Sequence, residues 1–225
     1  GNKNKLTDRQ VNKKRRLMSH HKKAEKKRVK GAPTLDDGQV DMLLHAIGRS
    51  EVCAQKDLRD PVILLAGTGL RRSELLALRW EDIDLDNGVL TVSASVVRIK
   101  GKGLQRQDTT KTGDDRPMAL PQFAIDMLHR RKAGRQGPNS AGVIFPSSTG
   151  TLRDPDNFGK QWRTIRDDLG LPEVTSHSFR KTVATLIDKQ GLSSRLAADQ
   201  MGHARVSMTT DVYMARKQVH KEVAD

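Results

Sequence analysis

Cysteine and aromatic side chains are nearly absent from this chain, and each shortage excludes something. Cys53 is the single cysteine, so there is no internal disulfide and no cysteine-rich zinc site. Its simplest role is that of a small packed residue. Aromatics make up 3% of the residues: four Phe, two Trp and one Tyr. Binding single strands by base stacking needs several exposed rings, so that mode is disfavoured. No apolar run approaches the roughly 20 residues that span a bilayer, and no leader peptide is visible. The chain opens on Gly1 rather than Met, as expected of a fragment. Gly67-Thr68-Gly69 lacks the third glycine and the preceding strand of a dinucleotide site. There is no Walker A loop. Asp154 with Asp156, or Asp167 with Asp168, could suggest a two-metal centre, but helix caps and surface acids explain them better. No metal and no cofactor is called for.

What is abundant is positive charge. Lys and Arg number 41 against 27 acids, a net charge of +14. A polyanionic partner is the first expectation. The charge is uneven: residues 1–30 carry thirteen Lys and Arg, Lys13, Lys14, Arg15 and Arg16 among them, against Asp8 and Glu25 alone. With Leu6, Val11, Leu17, Met18 and Val29 as its only sizeable apolar side chains, this segment cannot bury much by itself. It reads as a basic arm or linker over 1–32 that touches nucleic-acid backbone, with an idle solvated tail as the alternative.

Gly31-Ala32-Pro33 marks a boundary, and a folded domain is expected over 33–225. Thr34 reads as an N-cap, followed by Val40, Leu43, Leu44 and Ile47 at helical spacing. The apolar run Pro61 to Ala66 breaks at Gly67-Thr68-Gly69, and a helix begins near Arg72 or Ser73. Residues 89–99 alternate and are β-branched, predicting a strand; 101–113 read as a loop, and 116–120 as a short return strand stopped by Pro121. Helices are predicted over 122–133, 155–169, 178–190, 193–201 and 206–214. The class is α+β, mostly helical, with a small antiparallel sheet.

Two stretches carry chemistry. One runs Thr68-Gly-Leu-Arg71-Arg-Ser-Glu74. The other holds His177-Ser-Phe-Arg180, then Met201-Gly-His203, then Thr210-Asp-Val-Tyr213. Each piece alone is weak, but the order T-G-x-R-x-x-E, H-x-x-R, G-H and a late Tyr is specific. From about Pro33 to Arg216 the chain resembles the tyrosine recombinases, also called phage-type integrases. The resemblance implies Arg71 and Arg180 as the two active-site arginines, His177 and His203 as the histidines, and Tyr213 as the nucleophile. It also implies Lys111 as a lysine on a β-hairpin, and Glu74 as an acid close behind the site. Lys100 and Lys102 compete with Lys111, and Arg72 competes with Arg71. Lys181 departs from the pattern, since many members have a second histidine there.

The residues make chemical sense as a set. Attack on a phosphodiester builds negative charge, which two arginines can clamp through planar, permanently charged forks. A phenol has a pKa of about 10 and needs help to lose its proton. His177 is placed to take it, one helical turn from Arg180. A lysine such as Lys111 can protonate the departing 5′ oxygen, and His203 can donate to a phosphate oxygen. A phosphotyrosine link stores the bond energy for rejoining without ATP.

The resemblance further implies site-specific recombination of double-stranded DNA through a 3′-phosphotyrosine, by a homotetramer passing through a Holliday junction. An accessory DNA-bending protein would assist, in a bacterial cytoplasm at the nucleoid, with no membrane partner. Full-length members carry a smaller DNA-binding domain ahead of the catalytic one, and that domain is expected to be missing here. Two rivals use related residues: a type IB topoisomerase or telomere resolvase, and a DNA-binding relative without catalysis.

Overall fold

In the computed structural model, residues 32–108, 115–134 and 137–189 are described. The chain divides at Gly31 and Ala32, and the described residues all belong to the second unit. They form seven α-helices, one 3-10 turn and five short strands.

Helix α1 (Asp37–Arg49) starts at a full capping box: Asp36 accepts from the Gln39 backbone N–H at 2.8 Å, and the Gln39 side chain accepts from Asp36 N–H at 2.9 Å. The cap is therefore Asp36 and not Thr34. A carboxylate beside the helix N-terminus also answers its dipole, which a threonine cannot do. Leu43 and Ile47 of α1 are fully buried. The five-residue α2 (Glu51–Gln55), absent from the sequence expectations, follows directly behind a Ser50 cap.

The apolar run at Pro61 belongs to helix α3 (Arg59–Thr68), which is buried nearly all round. Such a helix shows no amphipathic period, which is why periodicity did not type it. It packs against α1, α5 and α7. Helix α4 (Arg72–Leu75) is a single turn. The 3-10 turn Trp80–Asp82 leads into β1 (Ile83–Asp84) and β2 (Val89–Val92).

The strand predicted over 89–99 is two strands. It breaks at Ser93, and β2 and β3 (Ala94–Ile99) enter different sheets. Half of the predicted loop is also strand: β4 (Gly103–Asp108) pairs antiparallel with β3, from Ala94 opposite Asp108 to Ile99 opposite Gly103. Polar residues concealed it: one face is exposed throughout, and the other sets Arg106 beside the half-buried Leu104. The other sheet is antiparallel in the order β1-β2-β5, with β5 (Arg116–Ala119) at one end, where Pro117 costs no ladder bond. Arg106 ties the β3–β4 ribbon down: it donates to the Ala77 carbonyl at 2.9 Å and to Ser93 Oγ at 3.1 Å, and pairs with Asp82 at 3.4 Å.

Helix α5 (Gln122–Ala133) turns Ala124, Met127 and Leu128 inward. Helix α6 (Pro155–Asp168) has Asp154 as N-cap, accepting from Asp156 and Asn157, and Pro155 in its first turn. Phe158, Trp162 and Ile165 line its inner face at helical spacing. Helix α7 (Ser176–Lys189) begins two residues before the predicted start. The helices predicted over 193–201 and 206–214 lie outside the described residues.

Most of the buried side chains form one core between α3, α4, the β1-β2-β5 sheet and the inner faces of α5, α6 and α7. Phe179 of α7 is fully buried within it, its ring 6.0 Å from that of Trp162. Phe179→Ala is expected to lower the unfolding free energy by about 3–5 kcal/mol, transfer and cavity terms together. Urea denaturation measures it, and a loss under about 1 kcal/mol would show that the site collapses around the gap.

Candidate active site

The cleft is built at the junction of α3, α4, α6 and α7. Helix α3 ends on Thr68 and Gly69. Thr68 Oγ1 donates to the Leu64 carbonyl at 2.6 Å, and Gly69 takes the left-handed conformation at φ +66°, donating back to Leu65. Only glycine adopts that geometry without steric cost, so it reverses the chain here. Arg71 is then the N-cap of α4, with Glu74 at the third helical position accepting the Arg71 backbone N–H at 2.8 Å. The T-G-x-R-x-x-E string is thus a helix stop, a reversal and a helix start within seven residues.

The two arginines differ. Arg180 is 2% exposed and donates from Nη1 to the Gly69 carbonyl at 2.9 Å, across 111 residues of sequence. Arg71 keeps 46% of its side chain exposed, while Nη1 pairs with Glu74 Oε1 at 2.7 Å. Glu74 is itself buried and takes a second pair, from Arg116 Nη2 at 3.1 Å. Burial alone would raise the Glu74 carboxyl. The Arg116 charge, the Arg71 N–H and the Arg71 guanidinium outweigh it and hold the carboxyl below its ordinary value.

His177 stands in the first turn of α7, one turn before Arg180. Together with Leu70, Arg71, Arg72, Pro155 and Arg180 it lines a cleft of about 200 Å³. Its pKa is pushed below 6.5, first by the protein packed against the inner edge of the ring, then by the charges of Arg180, Arg72 and Arg71. At neutral pH the imidazole is therefore uncharged and able to accept a proton. Among the described residues no carboxylate lines this cleft. Three guanidiniums and a neutral imidazole facing one space suit a phosphate-sized anion with a proton to give up.

Of the residues singled out in the sequence, the structure brings together Arg71, His177 and Arg180, with Glu74 directly behind Arg71. Lys111, His203, Tyr213 and the basic residues Lys13, Lys14, Arg15 and Arg16 lie outside the described residues. Lys181 points elsewhere, its Nζ 3.4 Å from the Ala32 carbonyl. Arg116 was read only as the start of a strand. A charged residue opening a strand before Pro117 was the available signal, but its partner Glu74 is 42 residues away. Arg72, read only as a competitor of Arg71, faces the cleft beside it.

A mostly helical α+β domain with a small antiparallel sheet carries this arginine-lined cleft at the turn between two helices. The chain belongs to the phage integrase family, whose pattern matches residues 33–220. It is 30% identical over 171 residues to a protein named tyrosine recombinase XerC-like from Caldanaerobacter subterraneus subsp. tengcongensis, covering 67% of this chain and 44% of that one. It is 30% identical over 168 residues to an integrase of Staphylococcus phage L54a, covering 67% and 48%. The chain thus spans about half the length of the curated relatives it matches. In fold it is similar to the Tn1549 transposon integrase, solved in complex with transposon right end DNA. The TM-score is 0.75 at 23% identity, over 97% of this chain and 78% of that one.

The Glu74 pairs generate a signed prediction. A carboxyl lowered by folding stabilises fully above its unfolded value of 4.5, and that stabilisation is lost as pH falls through the folded value. Glu74→Gln should cost about 1–3 kcal/mol at pH 7, and the gap to the parent protein should close on acidification below 4.5. Urea denaturation at the two pH values checks this. An equal gap at both would show that the charge of Glu74 is not what the arginines hold.

Proposed function

We propose that this chain is the catalytic portion of a site-specific DNA recombinase that cleaves and rejoins double-stranded DNA through a 3′-phosphotyrosine at Tyr213. The observation that carries the reading is the gathering of Arg71, His177 and Arg180 around one cleft from segments more than a hundred residues apart. Arg71 and Arg180 clamp the non-bridging oxygens of the scissile phosphodiester as charge builds on it. His177, held uncharged, accepts the phenol proton. The phenolate attacks phosphorus, the bond to the 5′ oxygen breaks, and Lys111 returns a proton to that oxygen. His203 donates to a phosphate oxygen. A new 5′ hydroxyl later displaces Tyr213 and reseals the strand.

Several features support the wider reading. The net charge of +14 suits a DNA partner. The two relatives compared above are named a tyrosine recombinase XerC-like protein and an integrase, and one neighbour in fold is the XerH recombinase bound to difH substrate. We read residues 1–32 as a basic arm that follows the DNA backbone through Lys13, Lys14, Arg15 and Arg16. The working assembly is a homotetramer on two duplexes, assisted by a DNA-bending protein in a bacterial cytoplasm. Among the described residues no helix is long and apolar enough to cross a membrane.

A nicked suicide duplex tests the chemistry, because loss of the short 5′ fragment traps the covalent intermediate. The parent protein should form a protein–DNA adduct and Tyr213→Phe should form none. No adduct from a chain that binds the duplex would refute the proposal. Arg180→Ala should bind DNA within a few-fold of the parent yet cleave several orders of magnitude more slowly, as expected when a transition-state contact is removed. Equal loss of binding and cleavage would make Arg180 a binding residue only.

A further inference from the structure

Arg72 occupies a seat prepared for it. Gly159 lies in the interior of α6, where glycine is disfavoured relative to alanine. A Cβ at Gly159 would come within 2.1 Å of Arg72 Nη1 and 3.2 Å of its Cζ. The missing methyl group is the space the guanidinium fills. From there Arg72 Nη1 donates to the Pro155 carbonyl at 3.0 Å, and Nη2 lies 3.9 Å from the exposed carboxylate of Asp156. Arg72 lines the clefts on both sides of His177: the one shared with Arg71 and Arg180, and a more apolar one shared with Phe158, Trp162 and Arg163.

We propose that Arg72 is a positioning residue of the cleft: seated over Gly159, its guanidinium holds positive charge beside the His177 imidazole where that ring meets its substrate. Among the described residues, the charges lining the two clefts beside His177 agree in sign. Arg71 and Arg72 face it from the start of α4, Arg163 from α6 and Arg180 from its own helix, and the N-terminus of α7 adds a positive dipole. Among the described residues no carboxylate lines either cleft, and Asp156 reaches Arg72 only at long range and at the surface. Arg180 and Arg71 bind other groups as well, Gly69 and Glu74 respectively. Arg72 is thus the charge that one substitution on a different helix can move away. This inference rests on the proposed function only for what the uncharged imidazole is used for.

The test follows the His177 Cε1–H resonance by NMR against pH in the full chain without DNA, assigned by its disappearance in His177→Asn. Arg72→Gln removes a charge that opposes the imidazolium, so the midpoint should move up toward the ordinary histidine value. Gly159→Ala should do the same with the fold intact, since the clash is met by the flexible end of the arginine and alanine favours the helix. Arg72→Lys keeps the charge and should stay nearer the parent. The Arg72→Gln, Gly159→Ala double variant should match Arg72→Gln alone, because without the guanidinium there is nothing at Gly159 for the methyl group to displace. An unchanged midpoint in Gly159→Ala and Arg72→Gln would overturn the proposal. Cleavage of the nicked duplex against pH separates the two readings. If the acid limb of the rate moves up with the resonance, both hold. If the resonance moves while the limb stays, Arg72 sets the charge state and His177 is not the proton acceptor.

Discussion

The bond from Arg180 to the Gly69 carbonyl is the constraint on which the cleft depends. A buried guanidinium is expensive to place away from water, and it stays only where oxygen acceptors meet it. Gly69 offers such an acceptor because the chain has just left α3 and reversed at a left-handed residue. The same reversal aims Arg71 outward and starts α4. One hydrogen bond therefore joins the end of α3 to the second turn of α7, one turn beyond His177.

Behind that bond lies a second layer. Glu74 holds Arg71 on one side and Arg116 on the other, so α4 and the first residue of β5 are pinned to one carboxylate. Arg106 does similar work for the β3–β4 ribbon through Ala77, Ser93 and Asp82. Arg98 of β3 pairs with Asp154, the cap of α6. Buried acids and carbonyls thus decide how the strands meet the helices, while the apolar core decides that they meet at all. The division is physical: hydrophobic burial has no direction, and charge-assisted hydrogen bonds do.

Much of the fold was legible along the chain. Helices α1, α5 and α6 were readable from the spacing of their apolar residues, because each has one wet and one dry face. The strand region was readable from β-branched alternation. The break at Ser93 was not, since both halves alternate alike and the switch between sheets is set by contacts with distant residues. Strand β4 was hidden because one of its faces is fully exposed and the other reaches the core through Leu104 alone among its apolar residues. Helix α3 was hidden for the opposite reason, being buried nearly all round.

The candidate site divides in the same way. The sequence by itself determined which residue types are present and in what order, and the boxes around Arg71 and His177 are local strings whose spacing is a property of one helix or one turn. It also determined the helix stop at Thr68 and Gly69, because the left-handed turn is a local steric matter. Only the tertiary structure decided that Arg180 is buried while Arg71 is open, that Arg116 shares Glu74, and that Gly159 leaves room for Arg72. Those facts join residues 42 to 111 positions apart. No local propensity encodes such a distance. It is settled when the helices pack and each buried charge must find its partner.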